Sequence, residues 1–267
     1  MEITNEGTEV LSQLSDYFNV YSDDHRMARA IKKKFDIKDV HVIPGDSDSN
    51  QTVKREIGRQ AGQLLESILY EDAIVSVTGG STMAYVSESI HLLPFNVFFV
   101  PARGGLGENM VYQANTISSS MAQQAGGYYT TLYVPDNVSE STYDTLMLEP
   151  SVIHTLDKIK QANVTIHGIG DALKMAHRRQ SPKEVIDKLQ HHQAVGEAFG
   201  YYFDAQGKVV HKVKTIGLQL EDLESKDFIF AVAGGQSKGE AIKAYLSIAP
   251  ENTVLITDEA AAKVILQ

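Results

Sequence analysis

The sequence predicts an α/β fold, a Rossmann-like, doubly wound and mostly parallel sheet with a small antiparallel excursion. Three observations predict it. Short apolar, β-branched runs recur along the chain, as at Ile74–Val77, Asn96–Val100, Val164–Ile166 and Phe228–Val232, and such runs suit strands buried on both faces. Each leads into a turn rich in glycine, and then into residues at helical spacing. Only the stretch between His167 and Phe228 breaks that rhythm.

In order, Glu6 to Tyr21 place Val10, Leu11, Leu14, Tyr17 and Phe18 at helical spacing, and Asp23 to Phe35 do the same with Met27, Ala30 and Ile31. Lys32-Lys33-Lys34 complements a helix dipole and faces water. Asp39 to Asp46 reads as a short strand ending in a turn, and Asp46-Ser47-Asp48-Ser49-Asn50 as a loop without the full calcium-loop pattern. Val53 to Leu69 is a helix whose buried stripe is Ile57, Ala61, Leu64, Leu65 and Ile68. The Ile74 strand, the turn Thr78-Gly79-Gly80-Ser81-Thr82 and a helix bearing Met83, Val86 and Ile90 follow. A second unit runs from Asn96–Val100 through a glycine-rich turn at 101–107 to a helix at Val111–Gln124. Tyr129 to Val134 reads as a third central strand, stopped by Pro135-Asp136-Asn137. Val152–Gln161 is a helix, and Val164–His167 a strand before Gly168-Ile169-Gly170-Asp171. Phe228–Ala233 leads into Gly234-Gly235-Gln236-Ser237-Lys238 and the helix Gly239–Leu246; Thr253–Thr257 leads into Asp258-Glu259 and a last, alanine-rich helix.

The excursion holds a basic segment, Met175 to Pro182, a helix to His192, and a ribbon, Ala198–Asp204 with Lys208–Ile216, turning at 204–207. No linker divides the chain, so residues 1–50 form a helical lead-in with the first strand, and residues 51–267 the main domain. Right-handed crossovers place the glycine turns at the carboxyl ends of the strands, where they line one crevice near a switch in strand order.

Composition narrows the chemistry. The 267 residues are 43% hydrophobic, enough for a sizeable core, and the net charge of −10 argues against a broad nucleic-acid face. With no cysteine, disulfides, thiolate metal sites and cysteine nucleophiles are excluded. The amino end lacks a signal-peptide pattern and no apolar run reaches the length of a membrane span, so the expectation is a soluble cytoplasmic protein without a membrane partner. The nucleotide P-loop and the full dinucleotide fingerprint are missing, the histidines lack zinc spacing, and neither a cofactor nor a metal is expected.

The turn at 78–82 has two readings, turn geometry alone or a phosphate site at a helix start. Arg103 within a glycine turn, Arg178-Arg179 in the excursion and Lys238 after Gly234-Gly235 are each, singly, surface charges; together with Ser81 and Thr82 they supply donors for two phosphate groups. Gln113 and Glu197 suit sugar hydroxyls, although a solvated or salt-bridged carboxylate accounts equally well for Glu197.

Eight segments carry a family resemblance: Val-Thr-Gly-Gly-Ser-Thr at 77–82, Val-Pro-Ala-Arg-Gly-Gly-Leu-Gly-Glu at 100–108, Gln-Ala-Asn-Thr at 113–116, His-Gly-Ile-Gly-Asp at 167–171, Met-Ala-His-Arg-Arg at 175–179, Glu-Ala-Phe-Gly-Tyr-Tyr-Phe at 197–203, Val-Ala-Gly-Gly-Gln-Ser-Lys at 232–238 and Thr-Asp-Glu-Ala-Ala-Ala at 257–262. In this order, over nearly the whole chain, they resemble the effector-binding domain of the central glycolytic genes regulators, SorC/DeoR-type bacterial transcriptional repressors. The resemblance implies a fold like that of glucosamine-6-phosphate deaminase and ribose-5-phosphate isomerase. It implies fructose 1,6-bisphosphate as the effector, held by Gly79, Gly80, Ser81, Thr82, Arg103, Gln113, Arg178, Arg179, Glu197 and Lys238. Position 81 is serine where the family carries threonine, which keeps the hydroxyl. The family's winged-helix DNA-binding domain precedes this region, so the expectation is an effector domain that reaches DNA only through that missing domain. Implied too are a homodimer, a tetramer on the operator, and a ligand that shifts this assembly; the crevice loops must then differ between states, and residues 172–216 are the candidate moving part. The rival expectation is a sugar-phosphate isomerase or deaminase, with Glu197, Asp171, Asp258 or His167 as acid/base; a purely structural dimerisation domain would leave the cationic turns unexplained.

Overall fold

The computed structural model describes residue 4 and residues 23–105, 109–136 and 138–267; the helix expected at Glu6–Tyr21, part of the glycine turn at 101–107 and Asn137 lie outside the described residues. The main sheet is built from β1 (Asp39–Ile43), β2 (Ala73–Val77), β3 (Val97–Pro101), β4 (Tyr128–Tyr129), β5 (Val164–His167), β10 (Phe228–Val232) and β11 (Thr253–Asp258). Its order is β1-β11-β10-β5-β2-β3-β4, and every adjacent pair is parallel. From β2 the chain moves outward through β3 to β4, then returns to lay β5 on the other side of β2. The direction of winding therefore reverses between β2 and β5, where loops leaving neighbouring strands part to opposite faces and open a crevice.

Apolar clusters cover both faces. On one, Ile57, Ala61 and Leu65 of α2 (Gln51–Ile68) meet Met83 and Val86 of α3 (Ser81–Glu88) and Met121 of α4 (Ala114–Ala125) over Val75, Phe99 and Ile166. On the other, Ile31 of α1 (Asp23–Phe35), Ile159 of α6 (Pro150–Gln161), Ile242 and Tyr245 of α9 (Gly239–Leu246) and Ile265 of α10 (Glu259–Leu266) pack on Ala231 and Leu255. Burial on both faces explains the continuous apolar strands. Among the described residues no helix is long and apolar enough to cross a membrane. A short helix, α5 (Glu140–Leu146), capped by the Ser139 hydroxyl on the Thr142 N–H, escaped the sequence reading.

Two expectations need correction. Tyr129–Val134 is not a central strand: only Tyr128–Tyr129 pair, at the exposed edge of the sheet. Beyond Thr130 the Asn115 side chain replaces the ladder, accepting from the Leu132 N–H at 2.8 Å and donating to the Leu132 carbonyl at 3.1 Å. The chain then turns to pair Pro135 with Gly105, which carries Asp136 toward the crevice. The helix expected from Val111 begins at Ala114, because Met110–Tyr112 form a separate 3-10 turn.

The excursion is larger than a ribbon. β6 (Gly170–Asp171), β7 (Gly196–Ala198), β8 (Tyr201–Phe203) and β9 (Val209–Lys212) form a four-stranded antiparallel sheet. The first half of the basic segment, to Arg178, belongs to helix α7 (Ala172–Arg178), and α8 (Lys183–His191) follows. Past β9 the chain ties back to the main sheet through the Leu218 N–H on the Ala102 carbonyl at 2.7 Å and the Gly104 N–H on the Ile216 carbonyl at 3.2 Å.

Candidate functional site

One cleft lies at the carboxyl ends of β2, β3, β5 and β10, across the reversal of the sheet. Thr78 to Met83 come from the β2–α3 turn, Arg103 and Gly104 from the end of β3, and Tyr112 to Ala114 from the start of α4. Gly168 to Gly170 follow β5, Met175, Arg178, Arg179, Glu197 and Phe199 belong to the excursion, Val232 ends β10 and Lys238 follows it. The structure thus brings together all ten residues named from the sequence.

The two glycines of the first turn do different jobs. Gly80 has φ 133°, a conformation L side chains rarely adopt. At Gly79 a Cβ would lie 2.5 Å from the Tyr112 carbonyl, which also accepts the Gly80 N–H at 2.8 Å, so its smallness admits the Met110–Tyr112 turn. The first turn of α3 keeps backbone N–H groups without intrahelical partners, and among the described residues no side chain caps them. They give the cleft an electropositive wall.

Arg103 and Arg179 are not the surface charges that each suggested singly. Both are buried and share two buried carboxylates, Asp136 and Glu197. Arg103 Nε donates to Asp136 Oδ1 at 2.6 Å, and its Nη2 also approaches that oxygen; Nη1 reaches Glu197 Oε1 at 3.3 Å. Arg179 donates to Asp136 Oδ2 at 2.9 Å, Glu197 Oε1 at 2.8 Å and the Tyr202 hydroxyl at 2.8 Å. The Gly200 N–H adds a third donor to Glu197 Oε1, at 2.6 Å. Two positive and two negative groups form a neutral frame, which is how such charges survive burial. Burial would raise the Glu197 carboxyl, but Arg179, then Arg103 and the Gly200 N–H hold it below the ordinary carboxylate range. Burial likewise works against the Arg179 guanidinium, and Glu197 and Asp136 reverse that and hold it protonated. Glu197 Oε2 lies on the Gly170 side, 3.5 Å from where a Cβ on that glycine would sit.

The remaining cations differ. Arg178 is exposed at the rim, while Lys238 is half-buried on the turn Gln236–Lys238 before α9. That turn is held from the loop after β1: Asp48 accepts the Ser237 N–H at 2.7 Å and its hydroxyl at 3.0 Å. Burial depresses the Lys238 ammonium, Lys54 and Lys174 add to this, and Asp48 and Asp258 partly offset it. Lys54 donates to the Ser81 hydroxyl at 2.7 Å.

Sequence reading missed Lys54, Asp136 and Asp48. For Lys54 a signal was present: a lysine in the first turn of a helix opposes the dipole, a local conflict with function as its usual reason. Asp136 read as a turn residue beside Pro135, and its arginine partners are 33 and 43 residues away in sequence.

The other acid/base candidates are structurally committed. His167 is fully buried, with Nε2 2.9 Å from the Tyr245 hydroxyl and Nδ1 3.1 Å from the Gly168 carbonyl; burial pushes it down to about 4. Asp171 caps α7 through the Lys174 N–H. Asp258 accepts the Ser47, Gly235 and Ala261 N–H groups. None of these three lines the cleft.

A parallel sheet with a cationic cleft at its switch point and an antiparallel excursion beside it defines a class that sequence comparison names. Residues 20–267 match the family model described as "Putative sugar-binding domain", and the chain belongs to that family. It is 46% identical over 266 residues to the central glycolytic genes regulator of Priestia megaterium, covering 98% of this chain and 78% of that protein. It is 45% identical over 269 residues to the protein of the same name from Bacillus subtilis, covering 100% and 79%. A solved SorC family transcriptional regulator from Enterococcus faecalis superposes with a TM-score of 0.86 at 43% identity, over 91% of this chain and all of that one.

Proposed function

We propose that this chain is the effector-sensing part of a transcriptional repressor of glycolytic genes, and that its cleft binds a sugar bisphosphate, fructose 1,6-bisphosphate. The observation that carries this reading is the cleft's division into three chemistries. Uncapped N–H groups, Ser81 and Thr82 with Lys238 suit one phosphate, Glu197 with Gln113 suits sugar hydroxyls, and exposed Arg178 suits a second phosphate at the rim. Arg103 and Arg179 serve first as the frame that fixes Glu197, an ionised acceptor that binds a hydroxyl but repels a phosphate misplaced upon it.

The same geometry favours sensing over turnover. An isomerase or deaminase needs a group that exchanges a proton beside the sugar carbons. Glu197 is held ionised by two arginines, while His167, Asp171 and Asp258 are engaged in the scaffold and stand off the cleft. In this reading the ligand acts by differential affinity for two assemblies, a homodimer and the tetramer formed on the operator, and relieves repression by shifting between them.

Titration calorimetry with fructose 1,6-bisphosphate, run beside a turnover assay on fructose 6-phosphate, tests the proposal. Saturable binding without turnover is expected. Turnover would replace the sensor with an enzyme, and absence of both would leave a structural domain.

A further inference from the structure

Lys54 and Lys238 come from two separate helix starts, at α2 and α9; Lys238 lines the cleft, and Lys54 reaches Ser81 on its wall. Each places an ammonium where a helix dipole disfavours it. Among the described residues no carboxylate lies within ion-pair distance of Lys54 or Lys238. This contrasts with the other end, where both buried arginines are neutralised by Asp136 and Glu197. Half-buried like-charged groups at a cleft wall are unfavourable unless an anion completes them. The Lys54 ammonium already touches the wall: its Nζ donates to Ser81 Oγ at 2.7 Å.

A hydroxyl has one proton and two acceptor positions. With one acceptor position filled by Lys54, the Ser81 proton is left to point elsewhere, and the open direction is the cleft it lines. A hydroxyl that accepts from an ammonium is also a stronger donor.

Resting on the sugar-phosphate reading above, we propose that Lys54 is a positioning and specificity residue of this cleft. It orients Ser81 as a donor and adds a second charge, beside Lys238, for the doubly ionised phosphate monoester already assigned to the α3 end. Nothing in the frame of Arg103, Arg179, Asp136 and Glu197 takes part. The subsite therefore belongs to one phosphate of a bisphosphate and leaves the other to the rim.

The test compares wild type, Lys54→Met and Lys54→Arg by titration calorimetry with fructose 1,6-bisphosphate, fructose 1-phosphate and fructose 6-phosphate, with melting temperature as the folding control. Lys54→Met is expected to weaken the bisphosphate about tenfold or more. It is expected to weaken one monophosphate and leave the other unchanged, while Lys54→Arg restores part of the loss. Bisphosphate affinity equal to wild type in Lys54→Met would overturn the assignment. So would equal weakening of both monophosphates with a lowered melting temperature, since that marks a structural role. Wild type that binds none of the three sugars would remove the sugar-phosphate reading itself and this subsite with it; that outcome is read from the wild-type titrations alone.

Discussion

Replacing Arg179 by alanine is expected to cost the fold about 3–5 kcal/mol, the usual result of removing one partner from a buried ion pair. Arg179 is the more buried arginine of the frame and donates to three partners, Asp136, Glu197 and the Tyr202 hydroxyl. Its removal leaves two buried carboxylates with Arg103 alone. For a chain of this size each kcal/mol corresponds to roughly 2–4 °C, so the melting temperature should fall by roughly 6–20 °C. The loss should depend on pH in a defined sense. The Glu197 carboxyl is held below its unfolded value, so its contribution is complete above the ordinary carboxylate range and is lost as pH falls through the depressed folded value. The gap between wild type and variant should thus be widest near neutrality and narrow in acid, as the Glu197 carboxyl protonates and needs no partner. Thermal melts across that range check this, and a gap that ignores pH would contradict it.

Lys238→Met should separate binding from stability. Loss of a charge-assisted contact to phosphate is expected to cost about 1.5–3 kcal/mol, tenfold or more in affinity for fructose 1,6-bisphosphate. Yet the ligand-free variant should melt higher than wild type. Burial and then Lys54 depress the Lys238 ammonium, Lys174 adds to the effect, and Asp48 and Asp258 offset only part of it. A lysine whose folded pKa is lowered burdens the folded state at every pH below that value, and the burden fades as pH rises through it toward the unfolded value. Methionine removes the burden, so its advantage should be present at neutral pH and shrink in alkali. Unchanged affinity in calorimetry would refute the ligand role, and a lower melting temperature would refute the electrostatic account.

These two residues also mark what the sequence disclosed. Lys238 was legible because it follows Gly234-Gly235 at the end of a buried strand, and its position at the cleft follows from the parallel winding alone. The strand, turn and helix units were legible for the same local reason. Arg179 was legible as a cation but not as a member of a neutral frame, since Asp136 reaches it only after Asn115 diverts the chain from the β4 ladder. Long-range pairing of this kind leaves no local period. The excursion shows the same boundary: β8 and β9 flank the visible turn Asp204-Ala205-Gln206-Gly207, whereas β6 and β7 are two and three residues long and exist through their partners. Lys54 lay between the two cases, visible as a charge in the wrong turn of a helix but without a stated partner until Ser81 was placed beside it.

The most direct measurement is a crystal structure of this chain with fructose 1,6-bisphosphate. The account predicts one phosphate against the first turn of α3, within hydrogen-bond reach of Ser81 and Lys238, a sugar hydroxyl on Glu197 Oε2, and the second phosphate toward Arg178. Sugar bisphosphate bound outside this cleft, or bound within it with neither phosphate at the α3 end, would contradict it.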